Sequence, residues 1–149
     1  MRAYERLQQW WTDTSKKVSL ELPSASDVEE LERRYTLTLP EDFRDYLLNS
    51  CPTHDAWDAE NSTWWDFGRI KNITEEYGHK LHEQSVAAHA SQYLVFADHC
   101  IWCWAWAIAY TNDNNHGKIA LIGGNPDRFV ANSFATFVKA YTTNFRSVC

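Results

Sequence analysis

The sequence predicts an α+β fold: a mainly antiparallel sheet of about four to six strands, with helices from the two ends of the chain packed on it. Two observations carry this. Residues 101–110 alternate, with Trp102, Trp104, Trp106, Ile108 and Tyr110 on one side and Ile101, Cys103, Ala105, Ala107 and Ala109 on the other. That is the period of a strand, and large residues facing one way and small ones the other suit a strand covered on both faces. On either side of the strand region, apolar residues recur with the period of a helix. The length of 149 residues suits one domain, 1–149, able to bury roughly 70% of the surface its unfolded form exposes.

The elements follow in order. Tyr4, Leu7 and Trp11 place a first amphipathic helix over 3–12. Residues 15–22 connect it to Pro23. Ser26 and Glu29 have capping-box spacing, opening a second helix over about 27–35 with Val28, Leu31 and Tyr35 inward. Pro40 suits the first turn of a third helix, because its missing N–H would have no intrahelical partner there. Glu41 and Asp42 then sit beside the positive helix end, and Phe43, Tyr46 and Leu47 share one buried face. That helix runs to about Asn49, and residues 51–63 read as a turn-rich loop.

Strands are expected at 64–70, 93–99, 101–110 and 118–123, with a short helix or irregular segment at 74–85 interrupted by Gly78. Thr111 to Gly117 has hairpin-turn composition. A last helix opens at Asn132 or Ser133, and Phe134, Phe137, Val138, Tyr141 and Phe145 form its stripe.

The net charge is −6, with a pI of about 5.4. A nucleic-acid binder should show a basic stripe instead. The charge is uneven. From Pro40 to Asp66, seven acids (Glu41, Asp42, Asp45, Asp55, Asp58, Glu60 and Asp66) face one base, Arg44, a net of −6. Such a stretch is either a solvated face or a docking surface for a basic partner. Trp57 lies within it. It either folds back onto the core, which is the expectation for so large an apolar ring, or is offered to a partner. Eight Trp, seven Tyr and seven Phe exceed what a core this size needs, so some aromatic surface fits a partner.

No enzyme motif is convincing, although carboxylates are plentiful and a hydrolytic pair, known by its geometry, stays open at this level. No Gly-rich phosphate loop, metalloprotease helix or nucleophile elbow occurs. Cys100 and Cys103 have CxxC spacing, but no second pair accompanies them, and on a strand they would point to opposite faces. They read as ordinary sheet thiols. His79 and His82 are a helical turn apart without a convincing third ligand. No enzyme activity, cofactor or metal is expected. No run of about 18 apolar residues and no apolar segment after the first charges is present, so no membrane span or signal peptide is expected.

Three regions resemble the SUKH superfamily. They are the helix Val28–Tyr35 leading into Leu39-Pro40-Glu41-Asp42-Phe43, the strand Phe96-Ala97-Asp98 before the tryptophan-rich strand, and the closing Ser133-Phe134-Ala135-Thr136-Phe137 helix. Their order and spacing agree across residues 26 to 142. Where many members carry Asn-Gly or Gly-Gly after the LPxxF helix, this chain has Asn49-Ser50-Cys51-Pro52, which leaves the next loop's geometry open. The resemblance implies a cytoplasmic immunity protein of a bacterial toxin system, which binds a cognate toxin domain, commonly a nuclease, and occludes it. Other members are regulatory interaction domains, including a yeast regulator of cell-wall synthesis, and that is the alternative. The candidate toxin contacts are Asp55, Trp57, Asp58, Glu60 and Asp66, with Asp42 and Asp45 as outer charge.

Overall fold

The computed structural model describes residues 1–14, 17–53, 56–76, 92–124 and 126–149. Three helices come first. α1 (Ala3–Asp13) buries Leu7 and Trp11. α2 (Ala25–Tyr35) buries Val28 and Leu31. It starts earlier than the Ser26 reading, because Ser24 is the cap. The Ser24 hydroxyl accepts the Asp27 N–H at 3.1 Å, and Asp27 accepts the Ser24 N–H at 2.8 Å. Asp27 thus takes the part that Glu29 was expected to play. α3 (Glu41–Ser50) buries Phe43, Tyr46 and Leu47. Pro40 stands just outside its first turn as the N-cap, with its carbonyl accepting the Arg44 N–H at 2.9 Å.

Among the described residues seven strands form the sheet, all paired antiparallel, and six of them follow the order β1 (Ala56–Trp57), β2 (Ser62–Trp64), β4 (Tyr93–His99), β5 (Trp104–Ala109), β6 (Ile119–Ile122) and β7 (Arg128–Ala131). β3 (Lys71–Asn72) also pairs with β4, further along the edge that β2 occupies. The strand expected over 64–70 is therefore broken. Asp66 accepts the Arg69 N–H at 3.2 Å and closes a 3₁₀ turn over Phe67–Arg69 between β2 and β3. α4 (Ile73–Glu76) follows. The rest of the helix expected to 85, with Gly78, His79, His82 and also His89, lies outside the described residues. β7 was not expected at all. α5 (Phe134–Thr143) closes the fold with a 3₁₀ turn over Phe145–Val148.

β5 is buried on both faces. Ala105, Ala107 and Ala109 are as fully enclosed as Trp106 and Ile108. Trp106 meets Phe137 and Tyr141 of α5, with ring centroids 5.6 and 5.7 Å apart. Trp64 of β2 lies 5.8 Å from Trp11 of α1 and 5.3 Å from Tyr141. A β-bulge between Val95 and Ala97 re-aims Phe96, which packs on Phe43 of α3 and Phe134 of α5. Aromatic rings bury large areas and favour such tilted and edge contacts, so one layer of rings joins α1, α3 and α5 to the sheet.

The expected strand 101–110 begins late, at Trp104. Cys100, Ile101 and Trp102 all have left-handed backbone, with φ of 48°, 55° and 63°. The Cys103 N–H then donates to the His99 carbonyl at 2.8 Å. Trp102 leaves the tryptophan stripe and packs 6.3 Å from Trp65 instead.

Candidate functional site

The predicted contact residues do not form one patch. Asp58 is 3% exposed. Its carboxylate accepts the N–H groups of Glu60 and Ser62 at 2.9 and 3.1 Å, the Trp64 indole N–H at 2.8 Å and the Tyr141 hydroxyl at 2.5 Å. Burial pushes its carboxyl above the usual range, against the pull of these four donors. Asp58 is a buried structural carboxylate tying the β1–β2 hairpin to α5, and this corrects its assignment as a contact. Its sequence neighbour Trp57 corrects the other expectation. It does not fold back, and stands 48% exposed on the two-residue edge strand β1. Glu60 lies partly exposed in the turn of the same hairpin. Asp55 lies outside the described residues.

Asp42 and Asp45 come together at the start of α3. With Met1, Arg2, Ala3, Glu41 and Ala135 they line an open groove of about 550 Å³. Both have structural work as well. Asp42 accepts the Ala135 N–H at 2.8 Å, so it caps α5, where the helix dipole favours an acid. Asp45 pairs with Arg2 at 3.4 Å. Arg44, the one base of the acidic stretch, turns away and pairs with Glu32 of α2 at 2.5 Å.

Asp66 lines a third place, a groove of about 220 Å³ between the approach to α2 and the 3₁₀ turn. Its walls are Glu21, Leu22, Pro23, Asp27, Pro52, Thr53, Asp66, Phe67 and Gly68. Three carboxylates and no base line it, and Leu22 at its mouth is 47% exposed. Hydrogen bonds to the Ser24 backbone and hydroxyl lower the pKa of Asp27, which keeps it charged. Acid beside exposed aliphatic surface is chemistry for a partner carrying cationic side chains with apolar stems. Glu21 and Asp27 were missed from the sequence, because they lie outside the 40–66 acidic run. Asp27 had been read only as part of a helix start.

Much of the positive charge is spent internally. Arg33 pairs with Glu30, Arg34 with Glu75, Arg69 with Glu76 and Asp98, and Lys71 with Glu76. Among the described residues, no group of three or more His, Cys, Asp or Glu side chains is placed to hold a metal ion. No helix there is long and apolar enough to cross a membrane.

Residues 22–140, from Leu22 on the groove rim to Ala140 in α5, match the SMI1 / KNR4 family, SUKH-1. The chain belongs to that family. Comparison with curated proteins found no match. Membership of SUKH-1 is consistent with a toxin-immunity protein or with a regulator of the SMI1/KNR4 kind, and domains of this family are generally protein-binding. The SUKH-1 match includes Asp27, Asp66 and the whole sheet, while Glu21 of the groove stands one residue before it.

Proposed function

We propose that this SUKH-1 protein is a cytoplasmic immunity protein that binds a basic toxin domain, a nuclease by preference, and covers its substrate-binding surface. The observation that carries the reading is the base-free groove of Glu21, Asp27 and Asp66 with Leu22 at its mouth. Carboxylates held on a rigid surface can occupy the Lys and Arg groups that a nuclease uses to hold phosphates. Opposite potentials also speed encounter, toward about 10⁸–10⁹ M⁻¹s⁻¹ at low salt. The mechanism is occlusion, and the chain itself catalyses nothing. Exposed Trp57 and the Asp42–Asp45 groove supply further contact surface, as aromatic anchor and outer charge.

This reading expects a toxin domain to be encoded immediately upstream, and the test is co-expression with it, scoring survival and co-purification. The double variant Glu21→Lys/Leu22→Ser changes exposed side chains on the groove. It should fold as the parent does, bind the toxin at least tenfold more weakly and show a shallower salt dependence. Unchanged affinity and salt slope would remove this groove from the interface. The family match is equally consistent with a second reading, a regulatory interaction domain with no toxin partner. A gene neighbourhood without a toxin, together with no protection on co-expression, would select it.

A further inference from the structure

The CxxC segment does not lie in a strand, and its two thiols are not sheet residues. Cys100 and Cys103 are both free and both exposed. They open and close a four-residue turn whose three successive left-handed residues include Ile101, 80% exposed. Left-handed backbone is uncommon for any residue except glycine and is most unfavourable for a β-branched one. Strain of this kind persists only where surrounding bonds over-determine it. Here those bonds are the Cys103 N–H on the His99 carbonyl at 2.8 Å, the Cys100 N–H on the Asn61 carbonyl at 2.9 Å, and the Trp102 N–H on Asp98 at 3.1 Å.

The turn folds the second cysteine back on the first. The Cys103 thiol donates to the Cys100 carbonyl at 3.1 Å. That contact sets the Cys103 sulfur against the Cys100 residue, and desolvation followed by interaction with Cys100 raises the pKa of Cys103. A four-residue turn keeps its end Cα atoms within roughly 7 Å, and a disulfide needs about 4.4–6.8 Å. The other two cysteines differ. Cys51 is buried, and burial pushes its thiol up to about 12. Cys149 is part-buried, with its thiol on the Phe145 carbonyl.

We propose that Cys100 and Cys103 form a reversible dithiol–disulfide site, oxidised by small disulfides of the glutathione type. The thiolate of one cysteine attacks a sulfur of the small disulfide. An Sγ–S bond forms and one small thiolate leaves. The second cysteine then loses its proton, attacks the protein sulfur of that mixed disulfide and expels the second small thiol. The protein loses two electrons and two protons, and one small disulfide becomes two thiols. A loop this short gains little from cross-linking as a staple, which fits a regulatory bond better than a structural one. The bond would clamp the turn that carries Ile101 and that rests on the β1–β2 hairpin bearing Trp57. This chemistry does not depend on what the acidic groove binds.

The test uses the full-length native protein in glutathione buffers of graded redox ratio, read by intact mass and thiol count. The expected result is loss of two thiols and two hydrogens without a retained glutathione adduct, reversed by excess reduced glutathione. Cys100→Ser and Cys103→Ser should each retain one glutathione instead, while a Cys51→Ser/Cys149→Ser variant should behave as the parent. A stable adduct on the parent protein, or no reaction while both thiols remain alkylatable, would overturn the proposal.

Discussion

The Tyr141 hydroxyl of α5 donates to the carboxylate of Asp58 in the β1–β2 hairpin, across 83 residues of sequence. The same oxygen accepts the Trp64 indole N–H, so one buried acid joins the last helix, the edge hairpin and the aromatic layer. Replacing Asp58 by Ala orphans two buried side-chain donors and two backbone N–H groups. The expected loss is about 3 kcal/mol of folding stability. At a urea dependence of about 2 kcal/mol per molar, the midpoint falls by about 1.5 M. A midpoint within about 0.3 M of the parent would show that these bonds contribute nothing net.

His99 gives a pH dependence. Its ring stacks on Trp104 at 4.3 Å, also meets Trp106 and Phe145, and its Nδ1 lies 3.2 Å from the Ser62 hydroxyl. Burial lowers its pKa from 6.5, against the charges of Asp58, Glu60 and Asp98. The unfolded chain therefore takes up this proton first as pH falls. Stability contributed by neutral His99 is complete above 6.5 and is lost as pH falls toward the folded value. Asp58, whose carboxyl burial raises, gives the opposite slope in its own window. The comparison is therefore between parent and His99→Gln. The parent's stability relative to this variant should decline on acidification below pH 6.5, measured by urea titration, and a constant difference would contradict the assignment.

The small face of β5 is fully enclosed at Ala105, Ala107 and Ala109. Ala107 is fully enclosed and sits between Val95 of β4 and Ala120 of β6. Three methylene-scale groups added there must displace packed neighbours. Ala107→Leu should cost about 1–3 kcal/mol, seen as a lower thermal midpoint with unchanged far-UV circular dichroism. A neutral or stabilising result would mean that a void adjoins this face.

The elements that could be read from the sequence are those whose period outweighed everything else. Leu7 and Trp11, Phe43 and Tyr46–Leu47, and Phe134 to Tyr141 each mark a helix face, and β4 and β6 are short apolar runs. The failures are local. Trp-x-Trp-x-Trp continues its alternation through Cys100–Cys103, so nothing in the pattern reveals three left-handed residues, least of all at Ile101. Ser24 and Ser26 are both fair caps, and the choice turned on Asp27 bonding back to Ser24. β7 is only four residues, and the turn run Gly123-Gly124-Asn125-Pro126-Asp127 before it reads as the end of β6 without showing that another strand follows.

The site was less legible, because its logic is spatial. Asp58 and Glu60 look alike in an acidic loop, yet Asp58 is consumed by Trp64 of its own hairpin and by Tyr141 from the last helix. Glu21 and Asp27 meet Asp66 only once α2 docks beside the 3₁₀ turn. Charge counted along the chain therefore marked an acidic protein correctly and put part of its surface in the wrong place.

Trp57 separates anchor from core. It lies on a two-residue edge strand, paired with Thr63, and nearly half of it is exposed. If its role is packing, Trp57→Ala will cost several kcal/mol, as core tryptophans do. If its role is contact, the loss of stability will be under about 1 kcal/mol while affinity for the toxin domain proposed as partner falls tenfold or more, the behaviour of an interface hot spot. The expected outcome is the second. Because no charge is removed, the salt dependence of binding should stay at the parent slope, unlike that of Glu21→Lys/Leu22→Ser. Calorimetric unfolding and binding titrations at two salt concentrations, run on the same two variants, separate the aromatic from the electrostatic part of the interface. Large destabilisation with unchanged affinity would return Trp57 to the core.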